Sequence, residues 1–451
     1  MDIEQRLLRT NKAIVMDIKP KEATEIINSL LSGTVPRIGI QHIAVGRDDE
    51  IQAIIRTLND VKDGHNAVKF WIGEFGSGKS FMLHLMKVVA LKQKFVVSQA
   101  DFSPETRLYS TDGKSLALYR NLMDNISIQT KPDGGALPTL IERWIDQVVL
   151  KTAEEYNLTI KEIRNPLYDS LIEQNLLKVI NNFTEADSFD FSLVIKRYYD
   201  GYVTNDDELK RNALRWLKGE YKNRTAARID LGVRDIIDDH NWYNMVKNLC
   251  RLFVSIGYSG FTVNLDEAIN LYKIPNTQVR EKNYEKILTI YNDCYQGNCK
   301  NLFVNFAGTN EFLENRRRGL YSYEALKSRI EPNKYAVYGI KDFAQPVIKI
   351  EPIDNISIFI LLKNLKFVFD YHYGTQMEVS DENIRSYMED MYRKPGASEF
   401  LMPREIIRDF LNILSVLRQN PTLSFGNLCK SIEIKDERPS IDAMLDSIEE
   451  I

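Results

Sequence analysis

The chain has 451 residues, 44% of them hydrophobic and 27% charged, with a formal net charge of -4. That composition fits a globular protein of two or three domains and excludes the overall basic field that advertises nucleic acid. No stretch approaches the roughly 18 consecutive apolar residues of a membrane span, and the polar first six residues are unlike a signal peptide. The four cysteines (Cys250, Cys294, Cys299, Cys429) form no Cys-x-x-Cys pair and suit reduced thiols in a cytoplasmic protein.

Residues 1–45 read as a helical arm and linker. Residues 20–31 read as an amphipathic helix, with Gly33 placed to end it. Residues 36–40 read as extended. Ile43-Ala44-Val45-Gly46-Arg47 then turns at Gly46 into a helix over residues 50–61. Asp48 and Asp49 fall in its first turn, where negative charge suits the helix dipole. Two readings of this turn stand: a capped surface helix, or Ile43, Val45, Gly46 and Arg47 packed beside an adenine, because a phosphate-binding motif follows one helix later.

That motif occupies Val68 to Ser80. An apolar strand leads into Gly73-Glu74-Phe75-Gly76-Ser77-Gly78-Lys79-Ser80, and an apolar helix follows from Phe81. Gly-x-x-x-x-Gly-Lys-Ser between a strand and a helix is a P-loop in the context the motif requires. Its glycines let successive N–H groups face a phosphate, and the helix N-terminus adds its dipole. Lys79 suits the β- and γ-phosphates, and the Ser80 hydroxyl suits Mg²⁺. A strand over residues 94–101, a polar loop and a helix from Leu116 complete a βαβ opening, so residues 46–130 form the first half of a parallel-sheet core.

Residues 131–250 read as helices at apolar spacing and form an insertion into that core. Part of it is basic: Lys210, Arg211, Arg215, Lys218, Lys222, Arg224 and Arg228. Such a run is either a solvated helix face or a contact for nucleic acid or an acidic partner. The sheet resumes over residues 251–350. Gly260 to Leu265 is an apolar strand ending in Asp266-Glu267, placed to bind Mg²⁺ through Asp266 and to polarise the attacking water through Glu267. A second buried strand, from Asn301, ends in Thr309-Asn310, polar groups able to reach a γ-phosphate. Asn264 and Asn305 interrupt these two strands, and as neighbours their amides would satisfy each other. Arg329 precedes the last strand, residues 345–350. It is placed either to reach the nucleotide of a neighbouring subunit or to form a surface ion pair. Residues 351–431 read as a helical lid, in which Met402-Pro403 opens a helix and Arg404 projects from its start. Residues 432–451 are an acidic tail with little core.

This order resembles an AAA+ ATPase of the origin-recognition-like branch. More closely, the chain is similar to the BREX-system ATP-binding proteins of bacterial phage defence, the BrxC/BrxD family, and leans toward its BrxD members. Gly73 to Ser80, Asp101-Phe102-Ser103-Pro104, Ala117 to Arg120, Leu265 to Ala268, Ala307-Gly308-Thr309, Tyr323-Glu324-Ala325-Leu326 and Pro403-Arg404-Glu405 carry the resemblance. It implies an α/β AAA+ P-loop NTPase fold: a parallel sheet flanked by helices, a large helical insertion and a C-terminal helical lid. It also implies Lys79 and Ser80 as the Walker A pair, Asp266 and Glu267 as the Walker B pair, Thr309 or Asn310 as sensor 1, Arg329 as arginine finger and Arg404 as sensor 2. Residues 73–81 are expected to cradle the nucleotide. Arg316, Arg317 and Arg318 compete with Arg329.

The expected function is therefore Mg-ATP binding and hydrolysis by a cytoplasmic homo-oligomer of a phage-defence system. The expected partners are DNA or defence proteins such as a helicase, a methyltransferase or a phosphatase-like subunit. The alternative is a nucleotide-gated switch or scaffold with little hydrolysis, recruiting an effector through the helical insertion. A small-molecule kinase would need an acceptor pocket and several lid arginines, which a lid carrying Arg404 argues against.

Overall fold

The computed structural model describes residues 18–181, 188–333, 342–393 and 402–429. The expected tail at 432–451 and the first 17 residues of the arm lie outside the described residues. Two compact units divide the described chain. One draws on Met1–Gln52, Glu74–Leu85 and Ile350–Ile451, the other on Ala53–Gly73 and Met86–Lys349.

The second unit contains one five-stranded sheet, every neighbouring pair of it parallel. Its strands are β1 (Ala67–Ile72), β2 (Val96–Asp101), β3 (Phe261–Asp266), β4 (Leu302–Gly308) and β5 (Val347–Lys349), in the order β2-β3-β4-β1-β5. Strands β1, β3 and β4 are buried throughout, as expected where crossover helices cover both faces of a parallel sheet. Phe306 of β4 stacks on Phe70 of β1 at 5.2 Å between ring centroids and on Phe102 at 6.5 Å. Asn264 and Asn305 are direct neighbours in register. Asn305 Nδ2 donates to Asn264 Oδ1 at 3.1 Å, and Trp71 Nε1 donates to Asn305 Oδ1 at 3.0 Å. The two polar interruptions thus satisfy each other, with the Trp71 indole as a third member.

Between β2 and β3 the described residues of 131–250 form helices joined by turns and loops. Leu137–Glu155, Asp169–Asn181, Ser188–Thr204, Asp207–Leu217 and Trp242–Ser255 correspond to expected helices. Arg224–Leu231 was not foreseen. It begins at Asn223, whose side chain caps Ala226 N, and stops at Gly232 in the left-handed region. Its apolar face is only two buried residues, Ala227 and Leu231, too short a pattern to read by periodicity. The helical residues Leu140, Trp144, Tyr198, Trp216 and Trp242 belong to the same continuous core as Phe70, Val96, Leu265 and Phe306 of the sheet.

In the first unit, Pro20–Leu31 buries Ala23, Ile26 and Ile27 and packs with Asn355–Tyr373 and Pro403–Gln419. Pro403 occupies the first turn of the latter, and Glu405 Oε2 accepts from Met402 N. Residues 36–40, expected to be extended, instead bend into a 3-10 turn at Ile40–His42. The reason is local: Gly39 takes φ +78°, and buried His42 lies 3.3 Å from the Glu22 carboxylate. No helix among the described residues is long and apolar enough to cross a membrane.

Candidate nucleotide site

The P-loop joins β1 to the helix Lys79–Lys92. Gly76 and Gly78 take φ +75° and +98°, a region that L side chains enter only at a cost of about 1–2 kcal/mol. A Cβ at Gly76 would also press on the Met402 side chain, which would have to shift. Lys79 Nζ donates to the Glu74 carbonyl at 2.7 Å and stands 5.5 Å from the centroid of the Phe75 ring, itself exposed. Ser80 and Phe81 sit half-buried in the first helical turn. The Ser77 hydroxyl is buried without a hydrogen-bond partner among the described residues. A loop of left-handed glycines, a free buried hydroxyl and a lysine on its own loop carbonyl fit an anionic ligand such as a nucleotide phosphate.

Of the preceding turn, Ile43 and Val45 are buried and Gly46 is exposed at φ +70°. A Cβ on Gly46 would strike the Ser357 hydroxyl. Arg47 is buried, and its guanidinium bonds two backbone carbonyls, Nη2 to Ser77 O at 2.7 Å and Nη1 to Glu351 O at 2.8 Å. It also pairs with Glu50 at 3.8 Å. Burial lowers its pKa from the ordinary arginine value, against the charges of Glu50 and Glu351. Arg404 lies exposed in the first turn of Pro403–Gln419, two residues beyond the Met402 that faces Gly76.

The other half of the motif set belongs to the sheet unit. Asp266 closes β3 with its side chain buried, and its Oδ1 accepts from Glu267 N at 2.7 Å. Glu267 is exposed and holds φ +56°, a strained conformation for a non-glycine residue and a frequent mark of functional positions. Thr309 is buried at the end of β4, where its hydroxyl caps Phe312 N at 3.4 Å and Asn310 opens the short helix Asn310–Glu314. Gly73 N donates to Gly308 O at 3.2 Å, fixing the start of the P-loop to the end of β4.

Asp101 is not among the candidate site residues that the sequence suggests. It ends β2 directly beside Asp266. It keeps one edge in solvent, yet partial loss of hydration and then the charges of Asp266 and Glu267 push its carboxyl up to about 6. The signal was present in the sequence as an aspartate closing an apolar strand, but only the strand order places that end next to Asp266.

Arg329 is exposed and tied down: its Nε donates to Asn292 Oδ1 at 3.0 Å, and its Nη1 bonds the Ala325 carbonyl of its own helix. Asn292 lies in the last turn of Thr277–Tyr295, the helix that leads into the start of β4. Arg329 is thereby held toward the sheet edge opposite the strand C-termini. Arg316 and Arg317 follow the helix beyond Thr309 and are exposed, with no side-chain partner among the described residues. Arg318 bonds Ile274 O and stacks on Tyr272. Four of the seven basic side chains of this run are paired: Lys210 with Asp207, Arg215 with Asp230, Lys218 with Asp124 and Arg224 with Asp235. That favours the solvated face over a nucleic-acid patch.

Among curated proteins none matches the chain. The family described as BREX system ATP-binding protein BrxC/D matches residues 18–433. That span contains the P-loop, the Asp-Glu strand end and the helix bearing Arg404, and the chain belongs to this BrxC/D family of BREX system ATP-binding proteins.

Proposed function

We propose that the chain is a Mg-dependent ATPase whose nucleotide cycle drives self-assembly and action on DNA or on partner proteins of the defence system. The observation that carries this reading is the P-loop itself: left-handed Gly76 and Gly78, with Lys79 resting on a loop carbonyl it can exchange for a phosphate. Bound Mg-ATP would supply the phosphoanhydride and the cation that spreads its charge. Lys79 neutralises the β- and γ-phosphates, while Ser80 and Asp266 are the groups suited to hold the metal. Glu267 orients the attacking water and takes its proton. Thr309 or Asn310 serves as the sensor of the γ-phosphate, and Arg404 joins from the lid helix. Arg329 or the Arg316–Arg317 pair acts on the nucleotide of a neighbouring copy.

The pairing of four side chains of the basic run favours a second reading for the partner. A nucleotide-gated switch would dock a protein rather than DNA on the helical block, with little turnover. The two readings separate on ATP hydrolysis by wild type and Glu267→Gln, with and without duplex DNA. An ATPase loses turnover in the variant while still binding nucleotide. Equal rates in both proteins would remove Glu267 as the base.

A further inference from the structure

We infer that Arg47 is a positioning residue that aims the Gly78 amide of the P-loop at the nucleotide phosphates, rather than a group that touches the nucleotide. The inference rests on the P-loop reading above and deepens it. In a planar trans peptide the C=O and the N–H point in opposite directions. Ser77 C=O and Gly78 N–H belong to one such unit, and no cis peptide occurs among the described residues. Arg47 Nη2 holds the carbonyl end at 2.7 Å, so the amide end is turned to the side away from Arg47. Gly78 N–H has no acceptor among the described residues. An amide left unclaimed beside a buried, unpartnered Ser77 hydroxyl is a donor reserved for a ligand.

The opposite end of the guanidinium is equally committed. Nη1 donates to Glu351 O at 2.8 Å, and the Glu50 carboxylate stands 3.8 Å away. A side chain with both terminal nitrogens on backbone carbonyls and almost no exposed surface has little left to offer a base or a ribose. It is instead a rigid fork between the loop and the segment that begins the C-terminal helices, within one compact unit. Lysine cannot reproduce this, because a single ammonium on a flexible stem cannot span two carbonyls with a planar fork. Gly78 takes φ +98°, so glycine here meets the backbone conformation the held peptide requires, while the space beside Arg47 Nη2 would admit a Cβ at ordinary contact distance, 3.6 Å.

The test compares wild type, Arg47→Lys and Lys79→Ala by calorimetric titration with ADP and with AMP, alongside urea melting without nucleotide. Losing one aimed, charge-assisted phosphate contact lowers affinity by about ten- to a hundredfold. Arg47→Lys is expected to show that loss for ADP, to bind AMP within about twofold of wild type, and to melt as a folded protein. Equal loss for ADP and AMP, or no loss, overturns the inference. Lys79→Ala distinguishes this from a failure of the P-loop reading: retained ADP affinity in that variant removes the reading itself. A second measurement needs no variant. In wild type labelled with ¹⁵N-glycine and ¹³C-carbonyl serine, which selects the amides of Gly33, Gly78 and Gly260, one of the three, that of Gly78, should shift strongly on ADP binding and little on AMP binding, and none should do so if the proposal is wrong. An unmoved Gly78 amide contradicts the proposal even if Arg47→Lys does not fold.

Discussion

Glu267 carries two properties at once: a carboxylate at the end of β3 and a backbone at φ +56°. A side chain held there at a cost of about 1–2 kcal/mol points to a role that repays it. Glu267→Gln should keep ATP binding and lose about 10²- to 10⁴-fold in single-turnover hydrolysis. A companion prediction concerns Lys69, buried in β1 with its ammonium on the carbonyls of Phe343, Ala344 and Gln345 at 2.7–3.2 Å. Burial pushes it down to about 8, against the opposing charges of Asp342 and Asp60. Between about 8 and the ordinary lysine value of 10.5, the unfolded chain therefore holds a proton that the folded chain has released. Stability from this group rises with pH across that window and is flat below it. Urea midpoints from pH 7.5 to 10, compared between wild type and Lys69→Met, isolate the effect. The rise attributable to Lys69 should vanish in the variant, and identical pH profiles would refute it. At this scale the sequence was legible where chemistry is local. The P-loop spacing and the Asp-Glu pair name their residues directly. Asp101 and the true partners of Arg47 were not legible, because one depends on strand order and the other on carbonyls 30 and 304 residues away.

Elements hold one another through single polar side chains that reach across the chain. Asn305 is the donor to Asn264 and the acceptor from Trp71 in a dry sheet. Asn305→Leu leaves the Trp71 indole without that acceptor and Asn264 without that donor, which should cost about 2–4 kcal/mol of stability in urea melting. A change below about 0.5 kcal/mol would mean that the pair is not what aligns β3 with β4. The helix Lys114–Asp124 starts at Gly113, which has no side chain to cap it. Asp239, from the end of the helical block, supplies the cap instead, accepting from Gly113 N at 2.7 Å, Leu116 N at 2.8 Å and Ser110 Oγ at 3.0 Å. Asp239→Ala should cost about 1–2 kcal/mol and speed hydrogen exchange in that first turn. Helices with long apolar stripes, such as Leu137–Glu155, were legible from periodicity. The helical block's role as a support of the sheet core was not. Its apolar faces declare burial but not against what, and the shared core of Trp144, Trp216 and Phe306 appears only in three dimensions.

At the scale of the whole molecule, the proposed cycle predicts that nucleotide state controls association. The arginine acting between copies should be exposed and unclaimed within its own chain. Among the described residues, Arg316 and Arg317 meet that condition more fully than Arg329, whose guanidinium is already bonded to Asn292 and Ala325. Alanine at the acting arginine should leave binding intact and lower assembly-dependent hydrolysis by about 10³-fold or more. The parallel order of the sheet and the family were foreshadowed by the motif sequence, but the choice between these arginines was not, since all lie between the last two strands. The most direct measurement is sedimentation velocity of wild type and Lys79→Ala without nucleotide, with ADP, and with a slowly hydrolysed ATP analogue. Wild type should assemble with the analogue alone, and Lys79→Ala should not assemble. Wild type that sediments identically in all three conditions, or a Lys79→Ala variant that assembles like wild type, would contradict the proposed cycle.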